Sequence, residues 1–181
     1  MEQYIWLIPL IPFIGFLING LGRNVLSKSL VTFIGSGAVL ASFILSVMVF
    51  IAVPSGAGAQ PLIFKAFDLI QLPTLNVPFA FQIDALTSLF LLIITGVGFL
   101  IHVYSSAYMS KDKGFAKFFS YLNLFIFFML ILVMGNNFVM MFIGWEGVGL
   151  CSFLLIGFWF TNPEYVKAAK KAFIMNRIGD V

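Results

Sequence analysis

Residues 4–21, 30–52, 85–108 and 118–135, and the run from Asn137 to Phe160, are long apolar stretches with little charge to interrupt them. A bilayer hydrocarbon core of about 30 Å is crossed by roughly 20 helical residues at about 1.5 Å rise each, and each stretch approaches that length. Backbone placed in hydrocarbon must satisfy its own polar groups, so segments of this kind fold as helices. Hydrophobic residues make up 61% of the 181 and charged residues 9%, far from the balance of a water-soluble domain. The fold class expected is therefore all-α integral membrane, with several transmembrane helices.

The first stretch is expected to be a retained helix. It has no basic leading region, since its only early charge is Glu2, and it carries Pro9 and Pro12 where a cleavable signal would be uniformly apolar. Ten basic and seven acidic residues give a net charge of +3, and no basic face with interleaved aromatics suggests a nucleic-acid partner. A single cysteine, Cys151, excludes a disulfide within the chain and any cysteine-based metal or cluster site. Neither a phosphate-cradling glycine loop nor a histidine pair at metal spacing occurs, so no cofactor is expected in this chain.

Loop charges set an orientation. Arg23 and Lys28 follow the first helix, Lys111, Lys113 and Lys117 the third, and Lys167, Lys170 and Lys171 the fifth. These loops share one side, and the opposite side shows Lys65 and the bare turn Gly135-Asn136-Asn137. The positive-inside rule turns the basic loops toward the cytoplasm, or a mitochondrial matrix, and the N-terminus outward.

Four regions follow. Residues 1–52 hold two N-terminal helices, 53–84 an outward connection, 85–116 the third helix with its basic loop, and 117–181 the fourth and fifth helices and the start of a sixth. The connection opens loosely at Pro54-Ser55-Gly56-Ala57-Gly58 and then reads as a β-hairpin around Pro73-Thr74 lying on the helix ends. Its second strand alternates, with Leu75, Val77, Phe79, Phe81 and Ile83 on one face. Pro78 lacks an N–H for the ladder and implies a bulge or an unpaired side. Asp84 is placed to cap the third helix, a role preferred over ion carriage. The sixth helix is expected from about Ala168, which leaves about 14 residues or roughly 21 Å, short of a crossing. The chain thus reads as a fragment of a longer protein.

Glu146 is the most constraining polar residue. It lies nine residues beyond Asn137, about 13.5 Å along its helix and near the bilayer centre. Gly144, Gly147 and Gly149 beside it leave room for another helix or for water. A carboxyl at that depth serves either an ion path or an interhelical lock. Asn176, Arg177 and Asp180 share an arc of the sixth helix and reach similar depth from the opposite side. They form either a polar spine with Glu146 or a local pair in which Arg177 neutralises Asp180. His102 is either a proton relay or a capping and headgroup-contacting residue. Asn123 is expected to make an interhelical hydrogen bond. Trp145 is expected to pack between helices, Trp6 and Trp159 to anchor at the interfaces, and Cys151 to fill space.

The run Gly144-Trp145-Glu146-Gly147-Val148-Gly149-Leu150-Cys151-Ser152, followed by Leu154-Leu155-Ile156-Gly157-Phe158-Trp159, resembles the fifth helix of the antiporter-like L (chain 5) subunits of proton-pumping NADH:quinone oxidoreductase, complex I. Lys170-Lys171-Ala172-Phe173 with Asn176-Arg177-Ile178-Gly179-Asp180 resembles the start of the sixth helix. Phe81-Gln82-Ile83-Asp84-Ala85-Leu86-Thr87 and Gly96-Val97-Gly98-Phe99-Leu100-Ile101-His102-Val103-Tyr104-Ser105 resemble the third. The large subunit of multisubunit cation/proton antiporters shares much of this pattern.

The resemblance implies a longer subunit with two inverted five-helix repeats, each with a broken helix, of which this chain supplies the first three helices and the opening of the first repeat. It implies that Glu146 pairs with a lysine on a later helix, and that Asp180 with Arg177 serves coupling between pump units or proton entry. That lysine, the broken helix and the second repeat are not in this sequence, so the cation for Glu146 is expected from outside it. NADH, FMN, iron–sulfur clusters and quinone are implied in other subunits. The implied partners are the other membrane subunits of the complex, above all the adjacent antiporter-like subunit, the C-terminal part of the same subunit, and lipid. A bacterial cell inner membrane is favoured over a mitochondrial one by the outward loop. The function implied is proton translocation coupled to quinone reduction elsewhere, with a cation/proton antiporter subunit and a non-pumping membrane scaffold as alternatives.

Overall fold

Pro12 sits inside the first helix, α1 (Leu7–Leu21), and its missing N–H leaves the carbonyl of Ile8, four residues earlier, without its helical donor. In the computed structural model, which describes residues 4–54, 60–72 and 75–180, that carbonyl accepts a 2.9 Å hydrogen bond from Ser42 Oγ. Ser42 belongs to α2 (Lys28–Ala52), so the defect in one helix becomes a point of attachment to the next. Ser27 caps α2 by accepting from Leu30 N at 3.4 Å.

Two strands follow, β1 (Leu62–Leu72) and β2 (Leu75–Ile83), paired antiparallel. The loose opening at 55–58 and the turn at Pro73-Thr74 lie outside the described residues. Register irregularities fall between Lys65 and Phe67 and between Asp68 and Ile70, and Asp68 faces Pro78. The missing proline N–H is thus accommodated by an extra residue on the partner strand. Val77, Phe81 and Ile83 are buried as the alternation predicts, Phe79 stacks on Phe67 at 5.0 Å, and Leu75 is exposed. Ala80, assigned by alternation to the other face, is also buried.

Four more helices follow among the described residues: α3 (Ala85–Tyr108), α4 (Phe115–Met134), α5 (Phe138–Ile156) and α6 (Pro163–Asp180). Among the described residues, α2, α3, α4 and α5 are long and apolar enough to cross a membrane. The first helix is shorter than expected from 4–21. Its 15 residues reach about 22 Å, and the chain before Leu7 turns, with Ile8 N donating to Ile5 O at 3.2 Å. The last helix is longer than expected: it begins at Pro163, not near Ala168, and has 18 residues. Proline is well suited to a first helical position because the N–H it lacks has no intrahelical acceptor there. Asn162 Oδ1 accepts from Glu164 N at 3.0 Å and fixes that start.

Helix α4 lies centrally, packed on α1, α5, α3 and α2, while α6 packs on α5. Glycine sets the α4–α5 spacing. A Cβ on Gly144 would stand 2.4 Å from Leu132 N, and one on Gly147 would stand 2.1 Å from the Phe128 ring. The main core cluster joins Ile8, Val39, Leu91, Leu130 and Met134 to Phe81 and Ile83 of the hairpin. The turn between α4 and α5 is not bare: Asn136 Nδ2 donates to Gln82 Oε1 at 2.7 Å, Asn136 N to Ala80 O at 3.2 Å, and Asn137 Nδ2 to Pro78 O at 2.8 Å. The hairpin is thereby stitched across the helix ends, and Asn137 also caps α5 through Met140 N.

Candidate functional site

Glu146 is the ninth residue of the 19 in α5, with neither helix end within reach. The close α4–α5 approach permitted by Gly144 and Gly147 fixes this helix, and the other side of Glu146 is left to α6. There the Arg177 guanidinium forms an ion pair with the Glu146 carboxylate, the side chains being 37% and 23% exposed. The cation of Glu146 is therefore present in this chain, contrary to the expectation that it comes only from later sequence. Arg177 also lies over the Phe173 ring, 4.6 Å from its centroid, which holds the guanidinium plane from the α6 side.

Arg177 does not neutralise Asp180 locally. Asp180 Oδ1 instead accepts a 2.5 Å hydrogen bond from Trp145 Nε1, so two consecutive residues of α5 engage two residues of α6 separated by less than one turn. Trp145 is 53% exposed, and it meets the next helix through this hydrogen bond. Its indole N–H was not identified as a partner from the sequence; its adjacency to Glu146 was the available signal. A cavity of about 330 Å³ opens beside this constellation, lined by Glu146, Arg177, Asp180, Trp145 and the exposed Asn176. The volume is sufficient for several waters, so two carboxylates and one guanidinium meet where water can reach them.

The remaining candidates lie elsewhere. Asp84 caps α3 as expected, accepting from Thr87 N at 2.7 Å, and that backbone hydrogen bond holds its carboxyl below the usual aspartate range. His102 is buried, which rules out the headgroup-contact reading, and its Nδ1 meets Gly98 O at 2.8 Å. Asn123 is buried as well, but its Nδ2 donates to Phe119 O of its own helix at 2.9 Å, so the expected interhelical bond is replaced by an intrahelical one. Cys151 is buried, consistent with a packing role. Trp159 donates to Asp112 Oδ2 at 2.8 Å, tying the α5 end to the basic α3–α4 loop. Among the described residues, no group of three or more histidine, cysteine or carboxylate side chains is arranged to hold a metal.

The sequence that carries this ion pair has counterparts among known proteins. Residues 69–119 match the family described as the N-terminus of chain 5 of NADH-ubiquinone oxidoreductase, complex I, and residues 135–181 the transmembrane family of NADH:quinone oxidoreductase and Mrp antiporters. Each of these matches covers only part of the chain, and both are to an antiporter-like class of membrane proteins. Within it the chain is similar to NADH-quinone oxidoreductase subunit L of Mycobacterium tuberculosis, at 44% identity over 98% of this chain, and of Escherichia coli, at 39% over 95%. It is 40% identical over 98% of its length to the chloroplastic NAD(P)H-quinone oxidoreductase subunit 5 of Chlorokybus atmophyticus. The chain spans 28% of the length of each of these relatives.

Proposed function

We propose that this chain supplies the opening helices, and one proton-handling carboxylate, of a proton-translocating membrane subunit of NADH:quinone oxidoreductase. The observation that carries this reading is the Glu146–Arg177 ion pair between α5 and α6, set at the edge of a cavity large enough for several waters. A carboxylate in an apolar helix is costly unless its charge is compensated. Here the compensation comes from a different helix, so a shift of α6 against α5 changes it.

While Arg177 faces Glu146 the charge is balanced; when the guanidinium moves toward Asp180, three residues on, Glu146 takes up a proton that enters from one side of the membrane and is relayed by water in the cavity. Return of Arg177 displaces that proton onto a water relay leading to the opposite side. The energy for the shift would come from quinone reduction elsewhere in the complex, transmitted as movement or charge from neighbouring subunits. In this reading NADH, flavin, iron–sulfur clusters and quinone are held by other subunits, and this chain contributes no redox site. Its partners are the adjacent antiporter-like subunit, the later helices of the same subunit, and lipid. The basic loops face the cytoplasm of a bacterial inner membrane and the N-terminus faces outward.

A second reading, a subunit of a cation/proton antiporter, is supported by the joint description of the family matched over residues 135–181. Both readings assign Glu146 the same work and differ in what drives it. Substituting Glu146→Gln in the assembled full-length complex tests the first. The expected result is an assembled complex whose protons moved per electron fall, or whose turnover stalls. Wild-type pumping with wild-type turnover overturns the assignment and leaves Glu146 a lock between helices.

A further inference from the structure

Four helices each bring one polar side chain into the same buried layer, away from Glu146. Asn19 of α1, Ser36 of α2, His102 of α3 and Asn123 of α4 are all buried, none more than 8% exposed. A Cβ on Gly35, the neighbour of Ser36, would lie 3.0 Å from Asn123 Nδ2, 3.1 Å from Asn19 Nδ2 and 2.9 Å from the Phe119 ring. The His102 ring stands edge-on to Phe119 at 5.8 Å. One turn away, a Cβ on Gly98 would lie 3.6 Å from Val39 Cγ1, so His102 and Ser36 are level on antiparallel neighbours.

Every member has a polar atom without a partner: Asn19 Oδ1, Ser36 Oγ, His102 Nε2 and Asn123 Oδ1. Turning the amides over does not cure this. Asn19 Nδ2 donates to Val31 O at 3.3 Å and Asn123 Nδ2 to Phe119 O at 2.9 Å, and a carbonyl can only accept. The same logic places the proton of neutral His102 on Nδ1, against Gly98 O, and leaves Nε2 a lone pair. The layer therefore presents three acceptors and one hydroxyl, whose single O–H can serve only one of them.

We propose that this layer is a water-binding site between α1, α2, α3 and α4, in which bound water donates to His102 Nε2 and to the two asparagine carbonyls and bridges them to Ser36. Water matches the deficit because each molecule brings two donors, and buried water characteristically serves 2–4 otherwise unsatisfied groups. A metal cation fits less well. The carboxylates of the described residues lie on the hairpin (Asp68), at the α3 cap (Asp84), in the α3–α4 loop (Asp112) and on α5 and α6 (Glu146, Glu164, Asp180), and a hard cation stripped of anionic ligands is poorly held in an apolar interior.

His102 is the only histidine in the chain, so ¹⁵N-histidine labelling gives one imidazole to observe. In the chain reconstituted in lipid bilayers at neutral pH, solid-state NMR is expected to show a neutral ring protonated at Nδ1. Its Nε2 resonance is expected in the hydrogen-bonded range and to receive magnetisation from water. Ser36→Ala is expected to retain wild-type helicity by circular dichroism and to lower that water transfer several-fold. A free, dry Nε2, a charged ring, or water transfer unchanged in a helical Ser36→Ala chain would each overturn the proposal.

Discussion

Arg177 has two acids within its reach, and it takes the one on the other helix. Asp180 is three residues away on its own helix, yet the guanidinium meets Glu146 while Asp180 accepts from Trp145. The two helices are thereby tied at two points by four consecutive or near-consecutive residues. If this is an energetic coupling and not only proximity, Glu146→Gln and Arg177→Met should not add. Each substitution alone leaves a partly buried charge without its partner, costing about 1–2 kcal/mol, less than for a fully buried pair because both side chains retain solvent contact. The double variant should recover about 1 kcal/mol of the summed loss. Unfolding midpoints of the four chains in detergent measure this, and strictly additive losses would show that the pair holds nothing. The sequence placed these three charges at a common depth, because depth follows from residue counting. It did not reveal which acid the arginine chooses, since that depends on the rotation of α6 about its axis.

At the scale of elements, the contact that positions Glu146 is the close approach of α4 and α5. A Cβ on Gly144 would meet the backbone of Leu132 at 2.4 Å and 2.5 Å, and backbone cannot swing aside as a side chain can. Gly144→Ala is expected to push α5 off α4 and destabilise the chain by about 1–3 kcal/mol, the usual cost of overpacking. Gly149, on the same helix, has nothing within 4 Å of its Cβ position, so Gly149→Ala should be neutral or slightly stabilising through helix propensity. Thermal unfolding of the two variants decides it: equal midpoints would mean that the spacing is not set by Gly144. The small residues were visible in the sequence, but which of the three glycines faces a helix was not. Other elements were legible for local reasons. Asp84 precedes an apolar run and caps it, and Pro78 announces an irregularity that is found opposite it. The start of α6 was misplaced because Pro163, Glu164 and Tyr165 look like loop, whereas a proline and an acid are favourable in a first helical turn. The stitching of Asn136 and Asn137 to β2 joins residues more than fifty apart, and no local pattern announces it.

For the whole molecule, the charge distribution and the hairpin make the same claim about sidedness. Arg23 lies in the α1–α2 connection and Lys111 and Lys113 in the α3–α4 connection, and Lys28 and Lys117 open the helices that follow. Lys167, Lys170 and Lys171 lie within the first half of α6, not in the loop after α5 as expected, while the hairpin lies over the opposite ends of α4 and α5. Only one topology puts the basic loops on the cytoplasmic side, and in it the hairpin is outward. Cysteine labelling tests this cleanly, because the native Cys151 is buried and unreactive to a polar reagent. Gln71 in β1 and Lys113 in the α3–α4 loop are both exposed, and neither takes part in the Glu146 site. Gln71→Cys is expected to react with a membrane-impermeant maleimide in right-side-out vesicles and to be protected in everted ones, with Lys113→Cys showing the reverse. Labelling of both from one side would break the topology at α3, which alone separates the two positions. Labelling with the sides exchanged would keep the fold and overturn the positive-inside assignment.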